Sequence, residues 1–184
     1  TPTSGQALID GRPYGQLADP TRVVGAALEA SGFHPGRTGR NHLRVLAAAN
    51  GVDDARIDVV LELVGLTESG RRRVVEYSLG MRQRLALAAA LLPDPAALLL
   101  DEPANGLDPA GIQDVRRLLQ RLASEARTTI LVSSHILAEL ERSATTTAVI
   151  VGGRIRFSGT LEAMKASRGG VVRVVVDDRE RAAA

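Results

Sequence analysis

Residues 98–109 read LLLDEPANGLDP. This stretch begins as part of an apolar run bounded by Pro95 and Pro103, and the run ends in two consecutive carboxylates, Asp101 and Glu102. A continuous apolar run of this length is typical of a parallel strand buried on both faces, so we predict such a strand here. By itself, the carboxylate pair is also compatible with a strand that merely has a solvated end.

The segments on either side of this strand alternate between strands and helices. Residues 22–28 and 128–135 are apolar and predict two further buried strands, while residues 110–126 carry inward apolar side chains at helical spacing. Between residues 41 and 92 three helices follow one another, with Asp as the expected N-cap of the second and Pro93 ending the third. The pattern predicts an α/β fold with a mostly parallel, covered sheet and an inserted helical subdomain.

The ends of the chain show weaker signals. Residues 6–10 predict a short strand followed by a turn, residues 136–144 a helix, and residues 171–178 a last strand. Residues 145–160 alternate around Gly152 and Gly153, which predicts a β-hairpin.

Composition limits the classes of function. The chain has 184 residues, 45% of them hydrophobic and 24% charged, which suits one medium globular domain. It has no Cys, which excludes disulfides and thiolate metal sites. With 23 Lys and Arg against 21 Asp and Glu, the charge is too balanced to indicate nucleic acid as a partner. No apolar run approaches the roughly 20 residues of a membrane span, so a membrane role would need a partner.

Four short motifs occur in a fixed order: YSLGMRQRLALA at residues 77–88, LLLDEP at 98–103, NGLD at 105–108 and SSH at 133–135. Each is modest alone; a His after a strand, for instance, is more often an ordinary polar cap. Together they resemble the ATP-binding subunit of an ABC transporter, and the resemblance covers residues 4–165. It implies a P-loop NTPase-like (RecA-like) fold with its N-terminal part missing, and ATP and Mg²⁺ as cofactors.

The resemblance assigns a role to each carboxylate. Asp101 resembles the Walker B aspartate that holds Mg²⁺ through water. Glu102, expected on the opposite side of the strand's pleat, resembles the glutamate that polarises the attacking water. His135 resembles the switch histidine that contacts the γ-phosphate, and Asp108 belongs to the D-loop that couples two subunits.

Residues 78–81 match the family signature, usually L-S-G-G-Q, only in part. Ser78 and Gly80 are kept, while Leu79 and Met81 replace Gly and Gln. The hydroxyl and the backbone N–H groups, expected just before a helix that starts near Arg82, would face the ATP of the opposite subunit. This S-L-G-M variant resembles exporters for antibiotics, bacteriocins and lantibiotics.

The Q-loop position carries a second departure. Glu29 stands where the family usually has Gln, and a carboxylate there also resembles the antibiotic-exporter branch. Glu29 keeps an oxygen for Mg²⁺ or its water; the alternative is a solvated loop carboxylate. In the family, this loop and the helical block contact a helix of the membrane subunit.

The chain contains no G-x-x-x-x-G-K-[ST] loop, which would hold the phosphates. The first residue is Thr1, and the segment after it resembles the part of the family that follows the P-loop, so we expect the N-terminus to be cut. We expect a partial ABC ATPase domain at residues 1–168, with a helical subdomain at about 33–93 and a catalytic core at about 94–160. Residues 169–184 would begin a C-terminal extension.

The resemblance therefore implies an ATP-hydrolysing subunit of an exporter, with a second nucleotide-binding subunit and a separate transmembrane permease as partners. Its location would be the cytoplasmic face of the plasma membrane, and the 184-residue chain alone would be inactive. Two alternatives stay open. One is a non-catalytic remnant or pseudo-subunit, and the other is a soluble ABC-type ATPase of translation or DNA repair, although those usually carry two cassettes or large insertions.

Overall fold

The computed structural model describes residues 3–28, 32–125, 128–135 and 144–167. The chain forms two compact units, residues 1–136 and residues 137–184.

A three-stranded parallel sheet organises the first unit. Its strands are β3 (Val24–Ala27), β4 (Ala97–Asp101) and β5 (Thr129–Ser133), in the spatial order β3-β4-β5. Strand β4 is the stretch that ends in the carboxylate pair, and it lies in the middle of the sheet. The β4–β5 register places Asp101 level with Ser133, so the carboxyl ends of both strands meet at one edge.

Helices precede β3 in the chain and connect the three strands of this sheet. They are α1 (Pro20–Val23), α2 (Gly39–Ala49), α3 (Ala55–Leu63), α4 (Leu79–Leu91) and α5 (Pro109–Ser124), with short 3-10 turns at Tyr14–Gln16, Glu68–Arg71 and Val74–Glu76. Helices α2, α3 and α4 lie between β3 and β4 in the chain. The predicted α/β fold with an inserted helical block is confirmed.

One hydrophobic core joins the helical block to β4. Its fully buried side chains include Leu43 from α2, Ile57 and Leu61 from α3, Leu85 from α4 and Leu98 from β4. Because α4 supplies side chains to this core, the helix is held by packing on both the other helices and the sheet.

Local caps explain where the helices begin. Thr38 Oγ1 accepts from Asn41 N at 3.1 Å before α2. At α3 the N-cap position is Asp54, but its side chain makes no cap hydrogen bond; Asp53 Oδ1 instead accepts from Ala55 N at 2.7 Å.

The prediction that residues 128–135 form a buried strand is wrong for β5. Its side chains alternate between exposed and partly buried, and Leu131 is 67% exposed. Within the described residues β5 is an edge strand of the sheet, and the face that carries Thr129, Leu131 and Ser133 lacks a covering layer. Even β4 alternates, with Leu98 and Leu100 buried and Leu99 only partly buried. An apolar run fixes which residues can be buried, but the neighbouring layers decide which are.

Two hairpins complete the described residues. In the first unit β1 (Leu8–Ile9) pairs with β2 (Arg12–Pro13), so the strand predicted at residues 6–10 is shorter, and the turn expected after it is confined to Asp10 and Gly11. In the second unit β6 (Thr146–Val151) and β7 (Arg154–Thr160) form the predicted hairpin, followed by α6 (Leu161–Ser167).

Both glycines of the β6–β7 turn have positive φ, 58° and 71°, as a two-residue hairpin turn requires. The helix predicted at residues 136–144 lies outside the described residues except for its last residue, and the strand predicted at 171–178 lies wholly outside them. Among the described helices, none combines the length and apolar character that crossing a membrane would need.

Candidate functional site

The first part of the site is the catalytic edge, defined here as Asp101, Glu102, Ser133 and His135 at the carboxyl ends of β4 and β5. Asp101 and Ser133 are the last residues of their strands and face each other in register. The Ser133 hydroxyl donates to Asp101 Oδ1 and accepts from the Glu102 backbone N–H at 3.0 Å. The two strand ends are therefore joined by a side chain as well as by the backbone ladder.

Glu102 has a left-handed backbone, with φ of +47°. Strand β4 ends at Asp101, so Glu102 lies outside the strand and the pleat does not set the direction of its side chain, in contrast to the expectation. A tight turn follows, in which Asn105 N donates to Glu102 O at 3.0 Å. Non-glycine residues adopt this conformation rarely and at a cost, which the surrounding hydrogen bonds must offset.

The Glu102 carboxylate contacts His135. The Nδ1 atom of His135 lies 2.9 Å from Glu102 Oε2, and the two side chains are 64% and 33% exposed. Three of the residues predicted to act on ATP and Mg²⁺ thus lie together at this edge of the sheet: Asp101, Glu102 and His135. Glu29, the fourth, lies outside the described residues.

The second part of the site is the signature corner, defined here as residues 78–81 together with residues 105–107. Helix α4 begins at Leu79 and not near Arg82, because Ser78 is its N-cap and the Ser78 hydroxyl accepts from Met81 N at 3.3 Å. The N–H groups of Leu79 and Gly80 therefore belong to the first turn, where no preceding carbonyl can accept them within the helix. This end of the helix carries partial positive charge and favours anions.

The two segments of the signature corner pack against each other. Gly106 has φ of +72°, and a Cβ there would lie 2.4 Å from Leu79 Cδ2. A Cβ at Gly80 would lie 2.9 Å from Leu107 Cδ2. Gly at both positions thus permits the turn at residues 105–107 to approach the first turn of α4 closely.

Polar contacts on either side hold the same turn. Gln83 Nε2 donates to Asn105 O, which joins the second turn of α4 to the turn after Glu102. On the other side Asp108 is the N-cap of α5, and its Oδ1 accepts from Gly111 N at 2.9 Å. The Asp108 carboxylate, predicted to face the opposite subunit, is thus used for a cap in this chain.

Tyr77, which precedes the signature, anchors the corner to the helical block. Its side chain is 3% exposed, and its hydroxyl donates to Ser69 O at 2.7 Å. Gly39 makes room for it, because a Cβ there would lie 2.3 Å from the hydroxyl oxygen. Burial raises the pKa of the Tyr77 phenol, and nearby Arg72 partly opposes this effect.

Comparisons with known proteins show what this chain is similar to. A family model described as "AAA domain, putative AbiEii toxin, Type IV TA system" matches residues 7–141. The bacitracin transport ATP-binding protein BcrA of Bacillus licheniformis is 43% identical over 156 residues, which cover 84% of this chain and 51% of BcrA. The lantibiotic transport ATP-binding protein SrtF of Streptococcus pyogenes is 37% identical over 153 residues, covering 83% of this chain and 66% of SrtF. The chain belongs to the family that this AAA-domain model describes, and the relatives that it matches are ATP-binding proteins of ABC transporters.

Solved ABC structures share the fold. An ATP-binding subunit of an ABC transporter superposes with a TM-score of 0.74 at 28% identity, covering 90% of this chain and 71% of that one. A dimeric ATP-binding cassette in a post-hydrolysis state, bound to ADP and Pi, superposes with a TM-score of 0.76 at 21% identity, covering 87% of this chain and 75% of that one. The chain spans about half the length of BcrA, as the 51% coverage shows.

The residues of this ABC chain fit Mg²⁺ better than they fit a whole nucleotide. Mg²⁺ takes one or two carboxylates and keeps its remaining positions for water and phosphate oxygens. Asp101, an exposed carboxylate oriented by the Ser133 hydroxyl, fits such a ligand. The phosphates themselves would need backbone donors and a Lys, and the chain has no G-x-x-x-x-G-K-[ST] loop to supply them.

Sequence reasoning missed three residues that shape the site: Ser133, Gln83 and Tyr77. The sequence did contain a signal for Ser133. If the two predicted strands are aligned in parallel by their carboxyl ends, Ser133 lies level with Asp101, and its hydroxyl can reach that carboxylate. For Gln83 and Tyr77 no signal existed, because their partners, Asn105 O and Ser69 O, are backbone atoms that only the packing brings near.

Proposed function

We propose that this chain is part of the ATP-hydrolysing subunit of an ABC exporter, with Glu102 as the general base. The observation that carries the proposal is the contact of Glu102 Oε2 with His135 Nδ1 at 2.9 Å, directly beside Asp101. A carboxylate that is held by an imidazole and placed next to a Mg²⁺ ligand is suited to orient a water and take its proton.

Each residue of the catalytic edge has a separate task in this proposal. Glu102 receives the proton of the attacking water at Oε1, while Oε2 stays with His135. His135 holds the carboxylate in place and contacts the γ-phosphate. Asp101 would hold Mg²⁺, in part through water, with Glu29 as a further oxygen. When bound, Mg²⁺ neutralises charge that develops on the phosphate oxygens.

The signature corner completes the site of a second subunit. Ser78, Leu79, Gly80 and Met81 lie at the positive end of α4, where a γ-phosphate from a partner can bind the N–H groups. Leu79 is 50% exposed, so this end of α4 is accessible to a partner. Asp108 lies next to the same surface. The dimeric cassette of similar fold supports a dimer as the working state.

The wider assignment rests on the relatives. BcrA and SrtF are transport ATP-binding proteins, so we propose a permease as the membrane partner and a peripheral location at the cytoplasmic face of the plasma membrane. Residues 33–93 would be the helical subdomain that contacts the permease, within an ATPase domain at residues 1–168 whose core is residues 94–160. Residues 169–184 would begin a C-terminal extension.

Two measurements test the function. In the full-length protein, Mg-ATP hydrolysis per subunit should rise with protein concentration, because two subunits share each site. The 184-residue chain alone should show no ATP binding by calorimetry and no thermal stabilisation by Mg-ATP, because it lacks the phosphate loop. Tight Mg-ATP binding by the 184-residue chain would overturn the second expectation.

The alternatives predict other outcomes. A pseudo-subunit or non-catalytic remnant would show no hydrolysis in the full-length protein even when a dimer forms. A soluble ABC-type ATPase would hydrolyse ATP without association with any membrane protein. The coding sequence upstream of Thr1 offers the least laborious check, since a G-x-x-x-x-G-K-[ST] motif there supports the ATPase and a stop codon supports the remnant.

A further inference from the structure

We propose that Ser133 is a positioning residue that holds Glu102 in its left-handed conformation and couples it to Asp101. The proposal rests on the function proposed above, in which Glu102 is the base and Asp101 holds Mg²⁺. The Ser133 side chain is the one group that touches both residues at the junction of β4 and β5 in the described part of the chain.

The backbone of Glu102 needs support. Its φ of +47° is unfavourable for a residue with a Cβ, and its N–H has left the β4 ladder. The N–H donates to Ser133 Oγ at 3.0 Å. Without that acceptor, an extended backbone at Glu102 would become more favourable, and the carboxylate would move away from His135.

A serine hydroxyl can make both contacts at once. It has one proton to donate and two lone pairs to accept with. Here the proton goes to Asp101 Oδ1 and a lone pair accepts from Glu102 N. Donation to a carboxylate strengthens the hydroxyl as an acceptor, so each hydrogen bond supports the other. The orientation of Asp101 and the backbone of Glu102 are thereby linked.

A packing role does not explain Ser133. The residue is exposed, and it lies on the exposed face of β5 together with Thr129 and Leu131. Few apolar contacts would be lost on changing it. Its contribution is therefore expected in the geometry of the catalytic edge and not in the stability of the fold.

A matched pair of variants in the full-length protein isolates the hydroxyl. Ser133→Thr keeps the hydroxyl, while Ser133→Val has a methyl group in its place. The Thr and Val side chains have similar volumes and similar preferences for strands. We expect Ser133→Val to lower kcat for ATP by about 10- to 100-fold, the usual scale when a group that orients a catalytic residue is lost. KM for ATP should change little, and Ser133→Thr should retain most of kcat. Thr129→Val, on the same face of β5, is the control for loss of a strand hydroxyl.

A second readout does not depend on activity. The amide proton of Glu102 should exchange with solvent faster in Ser133→Val than in the wild type, Ser133→Thr or Thr129→Val, as followed by NMR. Equal kcat for the Thr and Val variants, together with equal exchange at Glu102, would overturn the proposal. A wild type without ATPase activity would refute the proposed function, while the exchange comparison would still decide whether Ser133 holds Glu102. If Ser133→Val unfolds, Ser133→Ala takes its place in both measurements.

Discussion

The catalytic edge and the signature corner are built in opposite ways. At the catalytic edge, polar side chains bind one another across two strands: Ser133 joins Asp101 to Glu102, and His135 holds the Glu102 carboxylate. At the signature corner, close packing sets the shape, and the first N–H groups of α4 have no acceptor within their helix. The polar groups of the catalytic edge are hydrogen-bonded to one another, whereas the first backbone N–H groups of α4 can donate to a bound ligand.

This difference suits a site shared between two subunits. The edge that would activate water needs rigid, mutually oriented groups, because misplacement by about 1 Å can cost 10²-fold in rate. The corner that would bind a partner's phosphate needs accessible donors at the positive end of a helix. The turn at residues 105–107 joins the two regions, since Asn105 N donates to Glu102 O and Asn105 O accepts from Gln83 of α4.

The largest effect is expected at the catalytic edge. In the full-length protein, Glu102→Gln should leave ATP binding intact and reduce turnover by at least ~10²-fold, because the amide cannot take a proton from water. It should also hold the ATP-bound dimer together, since the nucleotide remains. Steady-state hydrolysis, equilibrium binding and size-exclusion chromatography with ATP measure these effects. Near-normal hydrolysis would remove Glu102 from the role of base.

At the signature corner, Ser78→Arg should affect the partner's site and not its own. The Arg side chain would be bulky where two subunits approach, and the Ser78 hydroxyl would be lost. We expect near-normal ATP affinity at low protein concentration and little hydrolysis at any concentration. Impaired ATP binding by the monomer would mean that the corner serves its own subunit.

Mixing the two variants tests the shared site directly. A dimer of one Ser78→Arg subunit and one Glu102→Gln subunit contains one site with both residues intact only if Glu102 of one subunit faces Ser78 of the other. Turnover should then exceed that of either variant alone. No recovered activity, with mixed dimers shown to form, would contradict a site shared in trans.

The packing of the signature corner can be measured as stability. Ala at a positive φ costs about 1–2 kcal/mol, so Gly11→Ala, at φ of +76° with no atom within 4 Å of the new Cβ, should show this cost alone. Gly106→Ala should cost more, because its Cβ also meets Leu79. Urea unfolding of both variants, each with and without Leu79→Ala, measures how much the contact between the new Cβ at residue 106 and Leu79 lowers the free energy of unfolding. Equal losses for the two glycines would show that Leu79 adapts freely.

The smallest effect concerns the anchor behind the signature corner. Tyr77→Phe removes the hydroxyl that donates to Ser69 O and should lower the free energy of unfolding by about 1 kcal/mol. Tyr14→Phe is the control, since Tyr14 is 49% exposed. If both variants unfold alike in urea, the Tyr77 hydroxyl contributes nothing measurable to the anchor.

Several elements could be predicted from residue patterns because their causes are local. The hairpin at Gly152 and Gly153 follows from two residues that tolerate positive φ, and the helical block follows from apolar side chains at helical spacing. Helix α4 begins at Leu79, three residues before the predicted start near Arg82, because the Ser78 cap sets the first turn.

Residue patterns are enough to predict the class of the fold, because periodicity and turn chemistry act over a few residues. They also predict that Asp101 and Glu102 come at the end of one strand and His135 at the end of another. How these residues meet depends on the packing of the folded chain. The left-handed backbone of Glu102, its support by Ser133 and the exposed face of β5 depend on strand register and on the layers around the sheet. Contacts between residues about 30 positions apart arise from packing, and no local pattern encodes them.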